Sequence, residues 1–526
     1  MGTGLHEACG IAAIYYLPGS GTSRIGVPEG PEEISRLLPR MLLDVQNRGQ
    51  LSAGFTTYNP HRRQLLETYK DVGTVSEVFR MTHKGKFESL MKRYAGRAAI
   101  GHVRYATCGQ DNRSFAQPFE RHHIKKHKWF SFAFNGQLAN FPALRQELLS
   151  DRDCYLAHET DTEIFMHLFC NALHVPEPPG MIQMMRRVAQ RIDGAYSLVF
   201  LDALGQMLVA RDPLGFKPLA YAVDGPLFAA ASESVALVNL GFRPEQIQSL
   251  LPGHAIVIAE GRLEILPFTE AWGRAHCFFE WIYFSNVAST IDGRSVYLAR
   301  KALGEELARL EDVPIDEQTV VVPVPDTSKA AADAMAYRLG IPCVEGLIRN
   351  RYTGRTFIEG PDRRMAKAQT KYIPLREVLD QKRVLLVEDS IVRATTMKAL
   401  LERMRDLGRP REIHVRVACP PIISPCFYGI DMSTLSELFA PQFLQGGPLT
   451  PEIQARMAQA IGADSLRYLP VEAVGRAIGL PAAQLCQACI TGQYPTAWGT
   501  RLAQIAVENA RKGVQQRTYE TAACPK

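Results

Sequence analysis

Two rhythms of apolar spacing divide the chain. Between residue 9 and about residue 267, apolar runs of strand length recur at 98–103, 129–134, 196–201, 207–210, 227–231 and 255–259, with helical spacing at 32–45 and 161–173. Many short strands with few helices between them predict a sheet-rich α+β or sandwich domain. From about 290 the rhythm changes, and apolar runs at 319–324, 383–387 and 413–417 alternate with helical patterns at 296–310 and 396–407. That alternation predicts a doubly wound α/β parallel sheet, which binds ligands at the carboxyl ends of its strands. Residues 20–31, rich in Gly, Pro and Ser, read as a surface insertion, and beyond about 496 a polar helical pattern gives way to a loose end.

Composition narrows the class. Of 526 residues, 46% are hydrophobic and 22% charged, as in ordinary globular chains with sizeable cores. Length alone suggests three or four units, and two larger domains fit as well. The charge balance, 60 − 54 = +6, is too weak over this length to argue for nucleic acid. No run approaches the roughly 20 apolar residues of a membrane span, and residues 1–8 lack the basic-then-apolar pattern of a secretory leader. The 11 cysteines are irregularly spaced, unlike a secreted disulfide scaffold. A reducing, cytoplasmic setting is expected, where thiols are buried, catalytic or metal-bound.

Cys9-Gly10-Ile11 opens an apolar strand. Were the eight residues before it removed, Cys9 would carry a free α-amino group with a pKa of about 8, able to act as base for its own thiol. Taken alone, Cys9 reads more readily as a buried strand cysteine than as a nucleophile. Four further segments follow in order: residues 46–54, with Asn47-Arg48-Gly49 at their centre; Gly101-His102-Val103-Arg104-Tyr105-Ala106-Thr107; Phe134-Asn135-Gly136-Gln137-Leu138-Ala139-Asn140; and Thr160-Asp161-Thr162-Glu163. Together with Cys9 they resemble the glutamine amidotransferase domain of the N-terminal-nucleophile (class II) type. The resemblance implies an αββα sandwich with Cys9 as nucleophile. The Asn135 side chain and the Gly136 N–H would be oxyanion donors. It further implies Arg48, Arg104 and Asp161 as glutamine-binding residues, Arg104 meeting the α-carboxylate and Asp161 the α-ammonium. Asn47, Leu51 and Ala13 depart from the family's usual His, Glu and Gly.

Residues 383–396 run from an apolar strand through Glu388-Asp389 into a hydroxyl-rich turn and a helix. Acids at a strand end can hold ribose hydroxyls and Mg²⁺, and a helix N-terminus offers N–H groups to a phosphate. The segment resembles the phosphoribosyl-diphosphate (PRPP) motif of type I phosphoribosyltransferases. The resemblance implies PRPP-binding roles for Glu388, Asp389, Ser390, Arg393, Ala394, Thr395 and Thr396. Residues 347–358, with Arg349 and Arg355, resemble that family's closing loop. Residues 322–328 resemble its other strand-end segment and place Thr327 beside Glu388 and Asp389 as Mg²⁺ residues. Two departures stand out: Glu388 replaces the usual Asp, and Ala394 replaces a Gly. A Cβ at 394 is tolerated at negative φ and strained at positive φ.

Cys486 and Cys489 form a CxxC, and Cys277 and Cys426 complete a set of four. By composition, four thiolates satisfy a [4Fe–4S] cluster or tetrahedral zinc equally well. Their contexts resemble the [4Fe–4S] ligands of one branch of glutamine–PRPP amidotransferases, a branch that also carries a short propeptide, as residues 1–8 would be here. For Cys108, Cys154, Cys170, Cys343, Cys419 and Cys524 the reading is small buried or free thiols, with Cys108 following a pocket motif.

As a whole, residues 9–495 resemble the amidophosphoribosyltransferase family. The implied organisation is a propeptide (1–8), a glutamine amidotransferase domain (9–267), a phosphoribosyltransferase domain with iron–sulfur ligands (268–495) and a C-terminal tail (496–526). The implied reaction converts glutamine, PRPP and water to 5-phosphoribosylamine, glutamate and diphosphate, the first committed step of purine synthesis. Mg²⁺ and a [4Fe–4S] cluster are the implied cofactors. Purine nucleotides would be feedback inhibitors and a homotetramer the assembly, with no nucleic-acid or membrane partner. Ammonia would need a closed, largely apolar channel, with Tyr352 among its walls. Two alternatives stay open: a paralogue using this chemistry in another pathway, and a regulatory relative with a decayed PRPP site.

Overall fold

The computed structural model describes the chain apart from residues 1–8, 20, 27–29, 106–111, 151–154, 159, 271–272, 350–371, 431, 433, 515–516 and 519–526. Tyr352, Arg355, Cys108, Cys154 and Cys524 therefore lie outside the described residues.

Among the described residues, thirteen strands build the first half: β1 (Gly10–Tyr16), β2 (Ser52–Tyr58), β3 (Leu66–Val72), β4 (Ala98–Arg104), β5 (Phe119–Arg121), β6 (Phe130–Leu138), β7 (Gly194–Asp202), β8 (Met207–Arg211), β9 (Ala220–Asp224), β10 (Leu227–Ala231), β11 (Gln248–Ser249), β12 (His254–Ala259) and β13 (Arg262–Pro267). They form two antiparallel sheets, ordered β11-β9-β10-β1-β4-β2-β3 and β13-β12-β8-β7-β6-β5. The period-2 alternation of strands decides which face each side chain serves. In β1, Ile11, Ala13 and Tyr15 enter the core between the sheets, while Ala12 and Ile14 enter a second core under helices. In β6, Ala133 faces the partner sheet and Phe130, Phe132 and Phe134 face helices. Helices Leu38–Asp44 and Ser234–Leu240 cover one outer face, and Phe141–Ser150, Asp161–Ala172 and Met181–Ala189 cover the other. The result is the expected αββα sandwich.

The helical pattern at 32–45 resolves into a 3-10 turn, Pro31–Leu37, followed by an α-helix, Leu38–Asp44. Pro39, near the N-terminus of the α-helix, cannot donate a backbone hydrogen bond, so the helix restarts there instead of running through.

In the second half, β14 (His276–Cys277) is followed by a hairpin, β15 (Thr290–Ile291) with β16 (Arg294–Ser295). Then come β17 (Thr319–Pro323), β18 (Leu347–Arg349), β19 (Tyr372–Pro374), β20 (Arg383–Glu388), β21 (Glu412–Val417), β22 (Ser465–Tyr468) and β23 (Leu485–Cys486). The central sheet is β17-β20-β21-β22, parallel throughout. Strands β17 and β20 carry apolar runs buried on both faces, as in Val384–Val387, which suits a sheet with helices on both sides. The chain leaves β17 toward Asp326 and Thr327 and leaves β20 toward Asp389 and Ser390, so both expected PRPP segments meet at the carboxyl edge. The tail helix Ala497–Arg511 starts on the first half, where the Trp498 N–H donates to the Asp193 carboxylate at 3.0 Å. It buries Leu502 and Ala506 in the core of the second half.

Candidate active sites

Cys9 stands one residue before β1, against the end of β4. Its thiol donates to the Tyr105 carbonyl and accepts from the Tyr105 N–H, each at 3.4 Å. Burial pushes the thiol up, opposed by the Tyr105 contact and by the Arg104 and Lys217 cations. A nucleophile held this way needs a local base, which is the role the α-amine of an N-terminal cysteine would fill. Arg104, the last residue of β4, is buried with its guanidinium over the Phe115 ring.

Asn135 and Gly136 lie in β6, beside Ala195 and Tyr196 of β7. Asn135 is fully buried, and neither its amide nitrogen nor its oxygen meets a hydrogen-bond partner among the described residues. A buried amide without partners is expensive, so its donor is available to a developing oxyanion. Gly136 has φ 155°, and a Cβ there would lie 1.9 Å from the Ala195 carbonyl. Only glycine lets the strand bend its N–H this way. Asp161 opens the helix Asp161–Ala172, capped by Thr160, and its Oδ2 accepts the Leu138 N–H at 2.9 Å. Burial raises its carboxyl to about 7, partly countered by that bond.

Arg48, expected among the glutamine-binding residues, points elsewhere. Its Nε donates to the Cys9 carbonyl at 3.3 Å, and its Nη atoms are shared between Glu233 (3.0 Å) and Glu280 (2.7 and 2.9 Å). The geometry gives it the task of fixing the Cys9 main chain. Gly49 makes room for this, because a Cβ there would stand 2.5 Å from the Arg104 carbonyl carbon. Burial alone would raise the Glu280 carboxyl; the Arg48 and Lys217 cations outweigh it and hold it below its usual range.

The residues expected to bind PRPP gather around a cavity of about 300 Å³. Asp326, Thr327, Arg349, Glu388, Asp389, Ser390, Arg393, Ala394 and Thr396 all line it. Thr395 begins the helix Thr395–Arg403. Arg349 pairs with Asp326 at 2.6 Å, and Arg393 with Glu437 at 2.7 Å. Ala394 has φ 59°, in the left-handed region, so the loop keeps the glycine-like shape with a Cβ attached. Asn47, from the first half, is also part of the cavity wall. Its amide donates to the Phe284 carbonyl at 3.0 Å and to Glu233 at 2.8 Å. Residues 45–49 thus touch both sites, Arg48 behind Cys9 and Asn47 at the second cavity.

The four cysteines come together from three segments. Cys277 and Cys486 are register partners in the parallel pair β14–β23. The Cys489 carbonyl accepts from Ile423 and Ser424 at 2.8 and 3.1 Å, just before Cys426. All four are free thiols, and burial raises each, reinforced at Cys486 and Cys489 by the other cysteines. Among the described residues, no three His, Cys, Asp or Glu side chains close on a single metal ion.

Sequence reasoning passed over Glu233, Glu280 and Lys217. They act through contacts between residues far apart in the chain, for which local spacing gives no signal.

Residues 102–239 match the family model of a glutamine amidotransferase domain and residues 297–421 that of a phosphoribosyl transferase domain. The amidophosphoribosyltransferase of Methanothermobacter thermautotrophicus is 38% identical over 94% of this chain and 95% of its own. That of Bacillus subtilis is 34% identical over 94% and 95%. A solved structure, the B. subtilis glutamine phosphoribosylpyrophosphate amidotransferase complexed with ADP and GMP, superposes with a TM-score of 0.77 at 33% identity. It covers 93% of this chain and 98% of the other. By sequence, by domain order and by fold, the chain belongs to the amidophosphoribosyltransferase family.

Proposed function

We propose that this enzyme transfers the amide nitrogen of glutamine to PRPP, giving 5-phosphoribosylamine, glutamate and diphosphate. The observation that carries the reading is the single loop, 45–49, that braces Cys9 from one side and lines the PRPP cavity on the other. Ammonia released at one site has to reach the other before bulk water protonates it.

Cys9, exposed as an N-terminal residue by loss of residues 1–8, attacks the glutamine amide. Its α-amine takes the thiol proton and passes it to the departing ammonia. Asn135 Nδ2 and the Gly136 N–H receive the oxyanion, and water then hydrolyses the thioester. Arg104 and Asp161 hold the amino-acid end. In the second site, the N–H groups at the start of helix Thr395–Arg403 suit the 5′-phosphate, and Glu388 and Asp389 suit the ribose hydroxyls.

Hard oxygen donors at Thr327, Glu388 and Asp389 on one cavity fit Mg²⁺, which takes one or two carboxylates and leaves its other positions to phosphates and water. Bound there, Mg²⁺ would neutralise the departing diphosphate. The four buried thiols fit a [4Fe–4S] centre, in which each thiolate meets its own iron and the donors need not converge on one atom. Zinc remains the rival occupant. No helix among the described residues is long and apolar enough to cross a membrane. Because the B. subtilis relative was solved with ADP and GMP, purine nucleotides are the proposed regulators; a homotetramer is proposed on the family resemblance alone.

The test is glutamate release by anaerobically purified protein, with and without PRPP and Mg²⁺. Stimulation by PRPP supports the assignment; glutamate release indifferent to PRPP sinks it. Iron, sulfide and zinc analysis of the same sample decides the metal.

A further inference from the structure

We propose that Lys217 is a positioning residue: a fixed buried cation placed between the four-cysteine centre and the glutamine site, serving as counter-charge to that centre. The inference rests on the reading of the four thiols as cluster ligands.

Lys217 is completely buried, and its ammonium has no hydrogen-bond partner among the described residues. The nearest carboxylate oxygen given by the structure is Glu280 Oε1 at 3.8 Å, and Glu280 is already held by two bonds from Arg48. A buried ammonium so weakly paired is costly unless a further negative charge stands near it.

The surroundings identify that charge. The loop carrying Lys217 is tightly built: Asp212 accepts the N–H groups of Leu214 and Phe216 at 3.0 Å each, and Arg211 Nε donates to the Lys217 carbonyl at 2.7 Å. The Phe216 carbonyl accepts the Cys277 N–H at 3.2 Å. The Phe216 ring stacks on Tyr428, two residues after Cys426, with centroids 4.3 Å apart. Lys217 Cε stands 3.3 Å from where a Cβ on Gly429 would be. The ammonium arm is therefore set between the Cys277 strand and the loop that follows Cys426. It lies within electrostatic range of Cys277, Cys426 and Cys486, and of Cys9 as well. A centre bound by four thiolates is anionic and is the partner this cation lacks. The same loop reaches the oxyanion strand, where the Gly429 N–H donates to Gln137 Oε1 at 3.2 Å, one residue from Gly136.

The test compares anaerobically purified full-length wild type, Lys217→Arg and Lys217→Met. Iron and sulfide per chain, the midpoint potential from a titration followed by electron paramagnetic resonance, and the rate of iron loss in air are measured. Adding an electron to an anionic centre is easier beside a cation. Lys217→Met is therefore expected to shift the potential to more negative values and to speed iron loss, while Lys217→Arg stays near wild type. Should Lys217→Met fail to fold, Lys217→Gln supplies the uncharged comparison. A wild-type potential and iron-loss rate in the uncharged variant overturn the proposal. So does an equal shift in Lys217→Arg, which would point to packing. Wild type without iron and sulfide overturns the cluster reading itself, and the counter-charge with it, before any variant is compared.

Discussion

Arg48 and Glu280 form a two-bond ion pair, Nη2 to Oε1 at 2.7 Å and Nη1 to Oε2 at 2.9 Å, that joins the two halves of the molecule. The third nitrogen of the same guanidinium holds the Cys9 carbonyl. Both side chains are fully buried. Removing one partner of such a pair costs about 3–5 kcal/mol, because the other charge is stranded. Glu280→Gln is expected to lower stability by that order in a denaturant titration and to slow glutamine use more than ammonia use. Equal stability of variant and wild type would show that the pair does not hold the halves together.

Asn135 keeps a buried amide without partners among the described residues, beside Gly136. Deleting one oxyanion donor typically costs about 10²–10³ in kcat. Asn135→Ala is expected to lose glutamine-dependent turnover by that factor while retaining synthesis from ammonia. Steady-state assays with each nitrogen source check this, and parallel losses in both would remove Asn135 from the oxyanion role.

Asp161 gives a pH dependence of known sign. Burial lifts its carboxyl to about 7, so in the free enzyme it is protonated below that pH and ionised above it. The substrate's ammonium needs the carboxylate. Thus kcat/KM for glutamine should fall about tenfold per pH unit below about 7, with kcat less affected. Stability moves the other way. Between the ordinary carboxylate range and about 7 the folded protein keeps a proton that the unfolded chain has lost, so this group makes stability decline as pH rises. Asp161→Asn should remove both effects, and a pH profile of kcat/KM unchanged in the variant would contradict the assignment.

Ala394 holds φ at 59° in the PRPP loop. Left-handed backbone costs a residue with a Cβ roughly 1 kcal/mol, part of which glycine returns as greater freedom of the unfolded chain. Ala394→Gly is expected to raise the stability by up to about 1 kcal/mol and to lower KM for PRPP. Calorimetry and PRPP saturation curves measure the two, and a less stable variant would contradict the strain argument.

How much of this was readable beforehand depends on the range of the interaction. Strands such as 227–231 and 383–387 were legible because apolar period and flanking breakers are local. That residues 388–396 gather at one strand end was legible because strand end, acid pair and helix start are consecutive. The sign of φ at Ala394 is not legible, since residue type alone does not fix it. Arg48 is the instructive case: its position in a glutamine-site motif suggested substrate contact. Its two carboxylate partners lie 185 and 232 residues further along the chain, and they turn it inward. Lys217 carries no motif at all, and only the packing of Phe216, Cys277 and Gly429 around it makes it notable.

The central claim is that nitrogen from glutamine reaches PRPP through Cys9. The most direct measurement follows amide-¹⁵N from glutamine into 5-phosphoribosylamine with full-length wild type and Cys9→Ala, with and without competing unlabelled ammonia. The account predicts that wild type incorporates ¹⁵N despite the competing ammonia, and that Cys9→Ala incorporates none from glutamine while still using free ammonia. Incorporation by Cys9→Ala at the wild-type rate, or none by wild type in the presence of PRPP and Mg²⁺, would contradict it.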